Sequence, residues 1–116
     1  MSGPRLLIAP DKFKGTSTAI EAAVDIDSRL RAGTQWPDAQ LLPMADGGDG
    51  TLQTLVKAGD GRVTTCDSCD GQGRPVRAPI GWLDHETAII ESATLCGLAT
   101  LQPDELSPHT ATSRGV

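Results

Sequence analysis

Residues 5–18 read RLLIAPDKFKGTST: a short apolar run, a Pro-Asp pair that closes it, and a polar loop. An unbroken apolar run of this length is typical of a strand buried on both faces, as in a parallel sheet. Ser17 or Thr18, with Glu21 downstream, matches a capping box and predicts that a helix begins there. The apolar side chains close to one face of this helix are Ile20, Ala23, Val24 and Leu30. We expect the helix to end before Trp36-Pro37-Asp38, because a residue ahead of proline avoids helical angles.

The same order of elements then occurs a second time. Residues 39–44 predict a short strand, residues 45–51 (ADGGDGT) a loop, and Leu52 opens a helix that ends at Gly59 or Gly61. A repeated strand-loop-helix unit favours a parallel sheet whose ligand-binding loops lie at the carboxyl ends of the strands. The expected fold class is therefore α/β, with residues 1–59 as the first segment of a parallel-sheet, Rossmann-like α/β domain.

The second half of the chain has a different pattern. It predicts a strand, a turn and a half-buried second strand, which together make a hairpin, then a further strand and a short helix or turn. These elements fall at residues 62–67, 70–75, 76–82, 87–91 and 92–97. We expect residues 60–116 to be the start of a second, inserted, β-rich α/β domain that is truncated in this chain.

Composition narrows the classes of function. The chain has 116 residues, 38% of them hydrophobic, and a formal net charge of −5, as is typical of a globular protein. Aromatic residues make up only 3%, which disfavours a surface on which nucleic-acid bases stack. The negative net charge disfavours binding to a phosphate backbone. The apolar run Leu6–Ala9 is too short for a membrane span or a signal peptide, and three cysteines make no disulfide framework. We expect a cytoplasmic protein that binds neither nucleic acid nor a membrane.

The loop at residues 11–17 combines a carboxylate, two ammonium groups, a glycine and hydroxyls ahead of a helix. Free backbone N–H groups and the helix dipole favour an anion at such a position. Lys14, directly before Gly15 at the expected helix entrance, is favoured over Lys12 as the cation. The order Lys14-Gly15-Thr16 inverts that of a Walker A motif, which excludes that motif. Ordinary loop charges and helix caps are the alternative interpretation.

The loop at residues 46–51 contains three glycines and two aspartates ahead of a helix. Glycine permits positive φ angles and a close approach of the backbone to a ligand. Asp46 and Asp49 are suited to hold Mg²⁺ or to act as a general base. An EF-hand is excluded, because Lys57 stands at the twelfth position from Asp46, where a glutamate is needed. A structural glycine turn with an aspartate cap is the alternative interpretation.

Taken in order, these segments resemble the N-terminal part of the bacterial glycerate kinase family, type 1. The matching stretches are IAPDKFKGT at 8–16, PDA at 37–39, PMADGGDGT at 43–51, and IESA at 90–93 with Gly97-Leu98. Residues 70–76 are similar to the family's D-x-x-G-R-P-V turn, and residues 112–116 to the start of its T-S-x-G-x-G loop. Family members are several times longer, so the resemblance implies an N-terminal fragment of such an enzyme.

The resemblance implies phosphoryl transfer from ATP to a hydroxyl of glycerate, with Mg²⁺, in a cleft between two domains. Such chemistry needs cations for the phosphates, a metal, and a base for the attacking hydroxyl. The implied catalytic residues are Lys14, Asp46 and Asp49, with both aspartates as Mg²⁺ ligands. The implied substrate- and phosphate-binding residues are Asp11, Gly15, Thr16, Gly47, Gly48, Glu91 and Arg114. From position alone, Glu91 fits a helix N-terminal residue equally well, and Arg114 fits a frayed terminus.

Two other hypotheses stay open at this stage. The chain is then either a non-catalytic or vestigial binding module, or a small redox or metal module built on the C-x-x-C pair Cys66 and Cys69. A zinc site would need a second pair of ligands, and only isolated histidines and the distant Cys96 are present. We expect the isolated chain to be inactive and poorly folded, because neither half closes a core.

Overall fold

The structure, a computed structural model, describes residues 5–33 and 38–116. The helices and strands are, in chain order, β1 (Leu6–Ile8), α1 (Ala19–Gly33), β2 (Ala39–Leu41), α2 (Thr51–Ala58), β3 (Arg62–Cys69), β4 (Pro75–Trp82), β5 (Ala88–Ile89) and α3 (Ser92–Cys96). Two 3-10 turns follow at Leu98–Thr100 and Pro103–Glu105. A parallel and an antiparallel sheet together with helices confirm the α/β fold class. The chain divides into a unit that ends at Asp46 and a unit that spans Gly47–Val116. The predicted division between residues 59 and 60 stays a prediction.

The first unit is built on the parallel pair β1 and β2, which α1 connects. Leu6 pairs with Ala39 and Ile8 with Leu41. The predicted strand at 39–44 is too long, because regular pairing ends at Leu41. Single backbone hydrogen bonds nevertheless continue the pairing, from Leu42 N–H to Ile8 O and from Met44 N–H to Pro10 O, both at 2.8 Å. Pro10 and Pro43 have no N–H to donate, so the ladder is interrupted there.

Helix α1 begins as the capping box predicts, with Thr18 as the cap. Thr18 N–H and Oγ donate to Glu21 Oε2 at 2.8 and 2.9 Å, and Glu21 N–H donates to Thr18 Oγ at 3.2 Å. The hydrogen bonds from the Thr18 backbone and hydroxyl hold the pKa of Glu21 below its usual range. The buried face consists of Ala19, Ala22 and Ala23, which occupy a helical stripe. Val24 is 50% exposed, because it lies about 100° around the helix from Ala23.

The expected end of this helix cannot be compared at Trp36 and Pro37, which lie outside the described residues. The described part of α1 continues to Gly33, and Arg31 near its end donates to Asp27 at 2.8 Å and to Asp38 at 2.6 Å. Both carboxylates raise the pKa of Arg31, first through the hydrogen bond to Asp27.

The second unit contains the predicted hairpin. Strands β3 and β4 are antiparallel from Arg62↔Trp82 to Cys69↔Pro75, and β5 adds a short third strand beside β4. Helix α2 packs on β4, and its buried Leu52 and Val56 form the core together with Ala78 and Leu95. Gly81 makes this packing possible, because a Cβ there would lie 2.6 Å from Val56 Cγ2. The strand predicted at 87–91 is shorter, since the chain turns into α3 directly after Glu91.

Within the described part of the chain, no helix combines the length and the apolar character needed to cross a membrane.

Candidate functional site

The parallel register of the first unit brings two predicted loop residues to one edge of the sheet. Lys12 follows β1 and Asp46 follows β2, and parallel strands end at the same edge. Lys12 Nζ donates to Asp46 Oδ1 at 2.8 Å. The Lys12 side chain is 22% exposed and that of Asp46 is 58% exposed. Asp11 directly precedes Lys12, and its Oδ1 accepts the Lys12 backbone N–H at 2.7 Å. The edge therefore presents the ammonium group of a half-buried lysine side chain next to a more exposed carboxylate.

Lys14, Gly15 and Thr16 form a separate turn ahead of helix α1. Phe13 and Ser17 close this turn, with Phe13 N–H donating to Ser17 O at 2.9 Å and Ser17 N–H to Phe13 O at 3.0 Å. Thr16 N–H donates to Phe13 O at 2.8 Å, and Gly15 has φ +74°. Lys14 lies in the loop ahead of the helix, as expected, but not in its first turn. The helix begins at Ala19 and its N-terminus is capped by Thr18, so Lys14 stands in an exposed turn five residues earlier.

The glycine loop, residues 47–51, leads into helix α2 within the second unit. Gly47 has φ +94° and Gly50 has φ +88°, a region that favours glycine. Gly47 N–H donates to Thr51 Oγ and Thr51 N–H donates to Gly48 O, both at 3.1 Å. Asp49 is exposed in this turn. The loop thus has a defined backbone shape that two of its glycines require.

Glu91 lies buried beside the same loop, 8% exposed. Its Oε2 accepts the Leu52 N–H at 2.8 Å, and its Oε1 accepts the Gly50 N–H at 3.2 Å. Thr94, three residues after Glu91, donates through Oγ to Oε1 at 2.9 Å and so helps to orient the carboxylate. Glu91 is also the residue directly ahead of α3, which agrees with its interpretation as a helix N-terminal residue.

The tip of the β3–β4 hairpin carries an ion-pair network, the Asp70–Arg74–Glu105 clamp. Asp70 is buried and accepts N–H bonds from Gln72 at 2.8 Å and from Arg74 at 2.9 Å. The Arg74 guanidinium donates to Asp70 through Nε and to both Glu105 oxygens, at 2.6 and 3.3 Å. Burial raises the pKa of Asp70, but the hydrogen bonds from Arg74 and Gln72 outweigh it and hold the pKa below its ordinary value. The clamp joins the hairpin tip to the turn Pro103–Glu105.

The residues that resemble the start of the T-S-x-G-x-G loop lie against the same hairpin tip. Thr112 N–H donates to Gly71 O at 2.9 Å, and Ser68 Oγ donates to Gly115 O. A Cβ at Gly115 would overlap with Cys69 O, so only glycine fits there. Arg114 has an exposed side chain, and its backbone N–H donates to Thr112 Oγ at 3.2 Å.

Both cysteines of the C-x-x-C motif lie on one strand, which argues against their binding the same metal ion. Cys66 and Cys69 both belong to β3, and residues three apart on a strand point to opposite faces. The three cysteines are free thiols. Among residues 5–33 and 38–116, no three His, Cys, Asp or Glu side chains are grouped so as to hold a metal ion.

Comparison with known proteins gives one consistent result. The sequence model of the glycerate kinase family matches residues 6–116. The glycerate kinase of Bacillus subtilis is 40% identical over 112 residues, and that of Haemophilus influenzae is 40% identical over 114 residues. Each alignment covers 96% of this chain and 29% or 30% of the relative. A crystal structure from Salmonella typhimurium LT2, assigned as glycerate kinase 2, is similar with a TM-score of 0.75 and 33% identity. That similarity covers 97% of this chain and 31% of the Salmonella chain.

The parallel sheet, the antiparallel sheet and the helices define a protein of the α/β class. The chain belongs to the glycerate kinase family, which confirms the resemblance seen in the sequence. It spans about 30% of the length of the curated relatives that it matches.

Lys12 is the lysine of the first loop that the structure pairs with Asp46. Its role as the partner of Asp46 follows from the parallel register, which pairs Ile8 with Leu41. Counting from those paired residues puts Lys12 four positions and Asp46 five positions beyond the strand ends. The sequence therefore contained the signal, but only once the register of the two strands was fixed.

Proposed function

We propose that the complete protein to which this segment belongs catalyses ATP-dependent phosphorylation of a hydroxyl group of glycerate. Family membership supports this proposal, because the matching relatives from Bacillus subtilis and Haemophilus influenzae are named glycerate kinases. The substrates would be two small anionic molecules, in agreement with the expectation from the sequence. Organic acid metabolism is the corresponding physiological setting.

The structural observation that carries the proposal is the pair of Lys12 and Asp46 beyond the carboxyl ends of β1 and β2. Ligands of open α/β sheets bind at this edge. The ammonium group of a half-buried lysine there is suited to stabilise the charge that develops on a transferred phosphoryl group. The carboxylate holds the ammonium in place until an anion arrives. We assign the electrostatic role to Lys12 and keep Lys14 as an exposed second cation.

Mg²⁺ is the metal that this chemistry uses to neutralise the charge of the phosphates. It prefers oxygen ligands and is often held by one or two carboxylates together with substrate phosphates. The donor types present fit that requirement, since Asp46 and Asp49 each offer a carboxylate that is exposed to solvent. In the proposed function these two side chains hold the metal or accept the proton of the attacking hydroxyl.

The remaining predicted site residues keep supporting roles in the proposal. Asp11 fixes the backbone of Lys12, and Gly47 and Gly48 shape the loop that carries Asp49. Gly15 and Thr16 belong to the exposed turn of Lys14, and Arg114 offers an exposed guanidinium for a phosphate.

A non-catalytic binding module is the second candidate function. The observation in its favour is that several backbone N–H groups of both loops already donate within the chain, including those of Thr16, Gly50 and Leu52. These groups are then not available to a phosphate. In that case the conformations of the two loops would have a structural role.

An assay of glycerate-dependent ADP release separates the two candidates. We would use the 116-residue chain and a chimera in which residues 6–116 replace the matching segment of the Bacillus subtilis glycerate kinase. The proposal expects release of ADP from the chimera and none from the chain alone, because half a cleft does not exclude water from both substrates. A chimera that melts cooperatively but releases no ADP with glycerate would favour the binding module.

A further inference from the structure

Glu91 is a buried carboxylate that holds a loop far from it in sequence. It accepts hydrogen bonds from Gly50 and Leu52, which precede it by 41 and 39 residues. A buried carboxylate is costly unless its charge is compensated by hydrogen bonds. Here two backbone N–H groups and the Thr94 hydroxyl provide them. These three hydrogen bonds therefore compensate the buried charge and are part of the fold.

The contact replaces the cap that helix α2 lacks. Gly50 stands at the N-cap position with a left-handed backbone and offers no side chain to accept a hydrogen bond. The first N–H groups of a helix need acceptors, and a negative charge near them is stabilising. Glu91, 41 residues after Gly50, supplies the acceptor oxygens and the negative charge. An external anion would have to displace it to use the same N–H groups.

We infer that Glu91 is a positioning residue, which sets the conformation of the glycine loop that carries Asp49, and is not a ligand of the substrate. This inference rests on the proposed function, because Asp49 matters only if the complete protein is a kinase. The connection is direct: the two N–H groups held by Glu91 flank Thr51. Thr51 in turn bonds to Gly47 and Gly48 on the other side of Asp49.

The test compares Glu91→Gln with the matched control Glu86→Gln in the chimera. Glutamine keeps the size of the side chain and one oxygen acceptor, but it removes the charge and replaces the second acceptor with a donor. For Glu91→Gln we expect kcat to fall on the order of 10-fold or more, while KM for glycerate changes by less than about 3-fold. Glu86 is exposed, and its substitution should leave both constants unchanged.

A second measurement does not depend on activity. In the chimera, amide hydrogen exchange at Gly50 and Leu52 should accelerate in Glu91→Gln, with exchange in the β3–β4 ladder unchanged. If Glu91→Gln does not fold, Thr94→Val removes only the hydroxyl that fixes Oε1. Thr94→Val should also accelerate exchange at Gly50 and Leu52 and lower kcat, each by a smaller factor than Glu91→Gln.

Three outcomes would overturn the inference. A raised KM for glycerate at constant kcat would make Glu91 a substrate ligand. Equal kinetics for Glu91→Gln and Glu86→Gln, or unchanged exchange at Gly50 and Leu52, would show that Glu91 does not set the loop. A folded wild-type chimera without glycerate-dependent ADP release would instead contradict the proposed function, while the exchange measurement still decides whether Glu91 holds the loop.

Discussion

At the scale of single residues, Lys12 and Lys14 show how two positions along one loop acquire different surroundings. The Lys12 side chain is 22% exposed and its ammonium group is paired with Asp46 at 2.8 Å, whereas Lys14 lies in an exposed turn. An exposed lysine contributes little through its charge, because water screens it. A partly buried one acts in a lower dielectric, where the same charge has a larger effect on a developing anion.

We therefore predict that Lys12→Ala in the chimera lowers kcat on the order of 10²-fold, the effect typical of removing one electrostatic contact to the transition state. Lys14→Ala, as the matched control of equal charge change, should lower kcat by less than about 3-fold. Steady-state rates of ADP release with saturating glycerate measure both. A larger loss for Lys14→Ala would restore the ranking that the sequence alone suggested.

For the two aspartates we predict an altered dependence on Mg²⁺. Asp46→Asn and Asp49→Asn keep side-chain size and turn chemistry but remove the charge that a metal or a base requires. Each should raise the Mg²⁺ concentration for half-maximal activity or abolish turnover, with a melting temperature close to that of the wild type. Asp104→Asn, at an exposed position, serves as the control. Wild-type rates at limiting Mg²⁺ in both variants would assign the loop a purely structural role.

At this scale the sequence predicted residue types better than residue contacts. The candidate carboxylates and lysines were visible in the loops, because loops after parallel strands bind ligands. The partner of Glu91 was not predictable, since a carboxylate that caps a helix 39 residues earlier leaves no local pattern. The Thr18–Glu21 capping box was predictable, because its members are three residues apart.

At the scale of elements, the glycine loop gives a test in which only backbone conformation differs. A Cβ at Gly50 or at Gly33 would meet open space, but Gly50 has φ +88° whereas Gly33 belongs to helix α1. A left-handed backbone costs a non-glycine residue about 1–2 kcal/mol. We predict that Gly50→Ala lowers the free energy of unfolding by that amount.

The control Gly33→Ala should leave the free energy of unfolding unchanged or raise it by up to about 1 kcal/mol, because alanine favours helix. Urea titrations of the chimera, monitored by circular dichroism, measure the free energy of unfolding of both variants. Equal effects of the two substitutions would mean that the loop relaxes to a negative φ at Gly50 without cost.

The Asp70–Arg74–Glu105 clamp predicts a pH dependence at the hairpin tip. The pKa of Asp70 in the folded chain lies below its ordinary value of 3.8. A carboxyl group with a lowered pKa stabilises the fold above its ordinary pKa, and this contribution is lost as the pH falls through the lowered value. The melting temperature of the wild type should therefore decline below about pH 4 more steeply than that of Asp70→Asn.

Other acidic groups share in this decline, since the pKa values of Glu21 and Asp84 are also lowered by hydrogen bonds. The difference between wild type and Asp70→Asn isolates the clamp, and Asp104→Asn on the neighbouring turn controls for the loss of a charge. If the difference in melting temperature is the same at pH 7 and pH 3, the clamp does not titrate as the structure implies.

The elements also show where sequence patterns are informative. The hairpin was predicted because its turn residues and alternating strand are local. The strand after α1 was predicted too long, because Pro43 interrupts a ladder whose partner is 33 residues away. Burial on α1 was misjudged at Val24, since three alanines rather than the larger side chains face the sheet.

At the scale of the whole molecule, the two units differ in how much apolar surface they bury. Among residues 5–33 and 38–116, the buried hydrophobic side chains of the first unit are Ile8, Ala19, Ala22 and Ala23, and those of the second are Leu52, Val56, Ala78 and Leu95. Burial of a Leu or Val side chain contributes about 1.5–3 kcal/mol, and an alanine contributes far less. Strands β1 and β2 have three residues each, whereas β3 and β4 have eight.

We therefore predict that the two units of the 116-residue chain unfold separately, the unit that ends at Asp46 first. A two-stranded sheet of three-residue strands is marginal by itself, and Leu7 remains 55% exposed on it. Amide hydrogens of α1 should exchange at least about 10-fold faster than those of the β3–β4 ladder, because local opening is easiest where few apolar side chains are buried. Exchange of α1 should slow in the chimera, where the remaining part of the relative offers further partners to the sheet. A single melt that is coincident for α1 and for the hairpin would contradict this prediction, since it would require the first unit to be as stable as the second despite its alanine core.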